Sequence, residues 1–180
     1  MNFVEKAEHV GVLRSSSGNL PHISNRIACH KRALAAVLPV GLARGHRGNP
    51  AASIIISNIY ATPVLFSGLS SLVLKTTETA LLNQYLKETT QRLLKLMERS
   101  PACVVAFLAG QLPGIAILHI KQLALFGMVA RLPGNVLNKH AHNILTSAKS
   151  SASSWFQQIH DLCIKYRLPQ TCKKWCSLTA

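Results

Sequence analysis

The sequence predicts a mainly α fold: an irregular helical array with a short N-terminal β element. Three observations predict it. Apolar residues recur at helical spacing in several separate stretches, most clearly over 78–98 and from Trp155 onward. Proline and glycine punctuate the chain between those stretches. The apolar fraction of 48% is enough to supply a core.

Each element follows from local pattern. In residues 1–20, Phe3, Val4, Val10, Val12 and Leu13 suit one or two short strands, and 15–19 reads as a turn. Ile23, Ile27, Leu34 and Leu38 set a helix over 23–38, with Arg26, His30, Lys31 and Arg32 among them. Pro39 and Gly41 end it, and 41–50 is a basic, glycine-rich loop holding Arg44, His46 and Arg47. A second helix is expected to start after Pro50, bend near Pro63 and stop before Lys75. Thr76 or Thr77 would cap a third over 78–98. There Leu82, Tyr85, Leu86, Leu93, Leu96 and Met97 share one face, and Lys87, Arg92, Lys95 and Arg99 the other. Ser100 and Pro101 end it. Two apolar helices follow, over 102–109 and 113–130, closed by Leu132, Pro133 and Gly134. After a short piece at 136–145 and a loop at 147–154 comes the last helix. Trp155, Phe156, Ile159, Leu162, Cys163 and Tyr166 form its apolar stripe, Ser153 or Ser154 its cap, and Leu168 with Pro169 its stop.

Charge is the strongest compositional signal. The chain carries 20 Lys and Arg against 6 acids, a net charge of +14 with neutral His. No acid lies between Glu8 and Glu78, nor between Glu98 and Asp161. Such a balance favours a polyanionic partner, nucleic acid before anionic lipid, and says nothing of base specificity. The five cysteines, Cys29, Cys103, Cys163, Cys172 and Cys176, form no even framework, and no secretory signal precedes them. Reduced intracellular thiols are therefore the default. The runs 103–120 and 54–74 are apolar enough to resemble membrane spans. Gly110 to Gly114 breaks the first, and Asn58 and Pro63 interrupt the second, so buried core helices are the expectation.

The order of several segments carries a family likeness. Residues 7–15, AEHVGVLRS, are similar to the end of the palm in non-LTR retrotransposon reverse transcriptases. HISNRI at 22–27 with HKRAL at 30–34 resembles that family's first thumb helix, and NIYATPVLFSG at 58–68 a later one. ETTQRLLKL at 88–96, LPG at 112–114, QLALFG at 122–127, SWF at 154–156 and YRLP at 166–169 resemble the segments that follow, in the same order. The resemblance covers about 7–169. It implies remnant palm-end strands at 1–20, a thumb-like segment at 21–100, a post-thumb segment at 101–169 and a divergent tail at 170–180.

The family's activity is not implied with it. Its polymerases hold two metal ions on palm carboxylates. This chain has one aspartate, Asp161, and no Tyr-x-Asp-Asp-type pair, and the palm and fingers would lie upstream of Met1. No catalytic residue and no cofactor is assigned. No serine-hydrolase elbow or phosphate loop is present. His160, Cys163, Cys172 and Cys176 are zinc-type ligands, but their spacing is not that of a knuckle and Cys163 fits an apolar helix face, so no metal is assigned either. A thumb holds primer-template through phosphates, which needs cations rather than exact geometry. The candidate nucleic-acid contacts are Arg26, Lys31, Arg32, Arg44 and Arg47, and binding would be weak and non-specific. Lys87, Arg92 and Lys95 read as the wet face of their helix, and Trp155 and Phe156 as core residues. A helical protein-interaction module without nucleic acid is the competing reading, and a small membrane-associated protein a third.

Overall fold

The structure, a computed structural model, describes residues 6–9, 12–15, 18–37, 49–131 and 154–168. It is mainly helical. Strands β1 (Lys6–His9) and β2 (Val12–Ser15) pair antiparallel, with Lys6 opposite Ser15 and His9 opposite Val12. Helix α1 spans Leu20–Val37. Its buried stripe is Ile23, His30 and Leu34, with Ile27 half-buried between them. The spacing of 4, 3 and 4 residues keeps all four on one face. Leu38 and the basic loop, including Arg44 and Arg47, lie outside the described residues.

The second helical stretch begins on Pro50 itself. Asn49 caps it, accepting from the Ala51 N–H at 3.0 Å, and Pro50 occupies the first turn, where its missing N–H costs nothing. The stretch runs as α2 (Pro50–Ile56), a π-turn (Ser57–Ala61) and α3 (Thr62–Phe66). The expected bend near Pro63 thus takes the form of a widened turn. Pro63 cannot donate to the carbonyl four residues back and its ring would crowd it. The π register moves that carbonyl away, and Thr62 N–H donates five residues back, to Ser57. A 3-10 turn at Leu69–Ser71 follows.

Helix α4 (Thr76–Leu94) starts with Glu78 reaching back 2.8 Å to the Lys75 N–H, so Lys75 holds the cap position expected of Thr76 or Thr77. Leu82 and Leu86 are buried, Leu93 is half-buried and Lys95 exposed, as the periodicity predicts. The helix ends earlier than expected. Lys95 turns left-handed at φ 56°, and the Leu96 N–H returns to the Gln91 carbonyl at 2.9 Å. The buried Gln91 side chain donates to the carbonyls of Met97, Glu98 and Ser100 at 3.4, 3.2 and 3.2 Å. Those bonds require the chain to double back, which leaves Met97 84% exposed instead of on the apolar face. The next two helices are α5 (Ala102–Leu108) and α6 (Gly114–Ala130), separated at 109–113 as the glycines and Pro113 predict. No helix among the described residues is long and apolar enough to cross a membrane. Helix α7 (Trp155–Lys165) is capped by Ser154, which accepts from the Gln157 N–H at 3.2 Å. It stops with Arg167 left-handed at φ 54° and Leu168 N–H on the Cys163 carbonyl at 2.8 Å.

Two compact units result, one of residues 1–69 and 74–117, the other of 70–73 and 118–180. In the first, Ile23, Leu65, Phe66, Leu69 and Leu82 are almost fully buried and come from α1, α3, the 3-10 turn and α4. Each such side chain contributes roughly 1.5–3 kcal/mol by leaving water. In the second, Phe126 and Ala130 of α6 pack with Ile159, Leu162 and Cys163 of α7, and Trp155 closes the cluster. Compactness divides the chain inside α6.

Candidate functional site

Lys and Arg outnumber Asp and Glu by 20 to 6. On α1, Arg26 is half-buried, and Lys31 and Arg32 are exposed. At 100° per residue they point about 140° and about 240° around the helix from Arg26, so the three do not share one face. The Lys31 ammonium lies 5.8 Å from the Tyr85 ring centroid, and Arg32 donates to the Cys29 sulfur at 3.2 Å. Arg44 and Arg47 lie outside the described residues. On and after α4, Arg92, Lys95 and Arg99 are exposed and Lys87 half-exposed. Among the described residues none of Lys31, Arg32, Lys87, Arg92, Lys95 or Arg99 forms an ion pair with a carboxylate. No acid lies on α1, whereas on and just after α4 Glu88 and Glu98 line the same surface depression as Lys87 and Arg92 and offset part of their charge.

The remaining sequence candidates are placed plainly. Asp161 is exposed, accepts from Gln157 Nε2 at 3.0 Å and stands 3.7 Å from His160. Cys163 is 2% exposed, inside the apolar cluster. Cys172 and Cys176 lie outside the described residues, and no group of three potential metal ligands occurs among the described ones. Trp155 and Phe156 meet edge to face at 5.1 Å, and the Trp155 indole donates to the Ser70 carbonyl at 2.7 Å. That indole is committed to its own unit, which leaves no free stacking platform there.

A cavity of about 280 Å³ lies between α4, α5 and the start of α6. Leu86, Val105, Ala106, Leu112 and Pro113 give it mostly apolar walls, and Lys87 is the one charged residue lining it. Gln111 fixes the loop beside it: its carbonyl accepts from Thr90 at 3.1 Å and its amide donates to Asn58 of the π-turn. Asn83 accepts from the Ile115 N–H at 2.8 Å and so caps α6 from α4. A Cβ on Gly114 would come within 2.9 Å of that same Asn83 oxygen, so the glycine permits the close approach.

No protein family, curated protein or solved structure matches the chain. The chemistry has therefore to be read from these side chains alone.

Sequence reasoning missed most of the buried polar groups. His22, His30, Glu78, Gln91, His119 and Gln122 are all buried. His30 pairs with Tyr85, and His119 with Tyr166, each at 2.8 Å. Burial lowers both imidazoles, His30 to about 4, so both are neutral near pH 7. For His119 the Lys165 charge adds to the effect. His30 lies among the basic residues of its helix, but its phase with Ile23 and Leu34 puts it inside. What the described surface offers chemically is positive charge, and one apolar cavity with a cation in its lining.

Proposed function

We propose that the chain is a non-catalytic, nucleic-acid-binding helical module, similar in descent to the thumb and post-thumb of a non-LTR retrotransposon reverse transcriptase. The observation that carries it is the cation surplus on an acid-free helix. Lys31 and Arg32 of α1 face solvent with no carboxylate partner among the described residues, in a chain of net charge +14. A phosphate backbone supplies the missing counter-charge, and releasing its condensed counterions supplies the driving force. The binding is sequence-independent, since nothing on this surface is built to read base edges.

Fluorescence anisotropy with labelled 20-mer single-stranded and duplex DNA tests it. At about 50 mM salt the folded protein binds both, and affinity falls steeply with added salt. A folded sample that binds neither at that salt ends the proposal and leaves a protein-interaction module ahead. That second reading has its own support. Val104, Phe107, Leu108 and Leu112 are exposed apolar residues on and just after α5, with Phe107 84% open to solvent.

A further inference from the structure

We propose that the cavity between α4, α5 and the start of α6 binds a small soluble monocarboxylate, an apolar chain or ring bearing one carboxylate. Volume, apolar walls and one lining ammonium without a close ion pair together support this ligand.

The volume of about 280 Å³ sits at the lower end of the range for small-molecule sites, roughly 300–1,000 Å³. A short acyl or aryl group fits that volume. The walls are Leu86, Val105, Ala106, Leu112 and Pro113. The space opens to solvent, and an apolar group that displaces loosely held water from such walls gains affinity. The side-chain groups that could hold that water are largely committed. Thr90 donates to Gln111, Gln111 donates to Asn58, and the Asn83 oxygen accepts from Ile115. Lys87 is the exception. It lines the cavity, is half-exposed and has no carboxylate partner among the described residues. An apolar body with one anionic group satisfies the walls and the ammonium together.

The site is also held in shape. Gly114 lets α6 start against α4, Asn83 ties the two, and Gln111 anchors the intervening loop. A pre-shaped site loses little order on binding.

Cys103 lines the cavity and is exposed, so its thiol serves as a reporter. The test treats the full chain with iodoacetamide and maps alkylation at each cysteine by peptide mass, with increasing octanoate or 1-octanol. Octanoate is expected to protect Cys103 saturably, while alkylation of Cys29 is unchanged. Lys87→Met should weaken protection by octanoate about fivefold and leave protection by octanol as it was. Ala106→Trp should fill the cavity and abolish protection by both, with helical content verified by circular dichroism. No saturation by octanoate below roughly 10 mM overturns the proposal. So does a Lys87→Met effect that is equal for both ligands, since Lys87 then does not read the carboxylate. Neither arm depends on nucleic-acid binding.

Discussion

His30 Nδ1 and the Tyr85 hydroxyl lie 2.8 Å apart, joining α1 to α4 across 55 residues of sequence. The rings meet edge to face at 5.4 Å and 81°. His30 is fully buried, its Nε2 has no hydrogen-bond partner among the described residues, and burial lowers its pKa to about 4. Burial raises the Tyr85 pKa, although a hydrogen bond from Thr89 opposes that. The phenol therefore keeps its proton and the imidazole goes without its second one, and the Tyr85 O–H is the natural donor to a neutral Nδ1.

Acid should destabilise the protein through this pair. The unfolded imidazole titrates near 6.5 and the folded one near 4. Above about 6.5 both states are neutral, and His30 adds no pH dependence. Between about 6.5 and about 4 the unfolded state binds the extra proton, so stability falls as pH falls. Urea titrations at pH 7 and pH 4.5 should differ by ~1–3 kcal/mol through His30. His119 is shifted in the same direction and adds to the slope. His30→Gln should flatten the dependence, and an unchanged slope would remove His30 as its source.

Removing both partners should cost less than the two single removals added together. Tyr85→Phe leaves a buried Nδ1 acceptor unsatisfied, at about 1–3 kcal/mol. His30→Leu with Tyr85→Phe replaces the pair by apolar groups and should cost less than the two single changes added together. Denaturation midpoints at constant m report the coupling. Simple additivity would mean that the 2.8 Å contact carries no coupling energy.

These polar pairs mark the limit of what periodicity reveals. Leu82 and Leu86 of α4, the break between α5 and α6, and Ile159, Leu162 and Cys163 of α7 were all legible, because an apolar stripe needs only its own helix to be seen. The end of α4 was not. Leu96 and Met97 continue the stripe, and only the Gln91 bonds to carbonyls at 97, 98 and 100 reveal that the chain reverses. The π-turn was half-legible. Pro63 announces a defect, but whether it becomes a kink or a widened turn depends on what packs around it. The cavity was hidden for the same reason: Lys87 reads as ordinary wet-face charge until α5 is folded against it.

The two left-handed helix ends should accept glycine with a gain. Lys95 and Arg167 sit at φ 56° and 54°, where an L side chain meets steric cost. Lys95→Gly and Arg167→Gly should each stabilise by ~0.5–1 kcal/mol, reduced by the larger entropy of glycine in the unfolded chain. Thermal or urea unfolding checks it. A loss of stability at Lys95 would indicate that its side chain contributes packing beyond its exposed position.

The salt dependence of nucleic-acid binding separates an inherited surface from diffuse attraction. Each neutralised phosphate on duplex DNA contributes a log-log slope of about −0.9. Arg26 should be left in place, since its half-buried side chain makes other contacts and its loss would confuse stability with binding. If Lys31, Arg32, Arg44 and Arg47 all contact phosphate, replacing them with Ala should flatten the slope by roughly three to four units. Replacing Lys87, Arg92 and Lys95 removes nearly as much charge from α4 and its end. If that face is merely solvated, the slope should change by less than about one unit. Equal flattening per charge would instead mean that the +14 balance acts as a uniform field. Lys31 and Arg32 are adjacent, about 100° apart on α1, so their long side chains can reach phosphates of one strand. Arg26 lies at least about 120° from either, off any track that the two share, which is a second reason to leave it out of the first set.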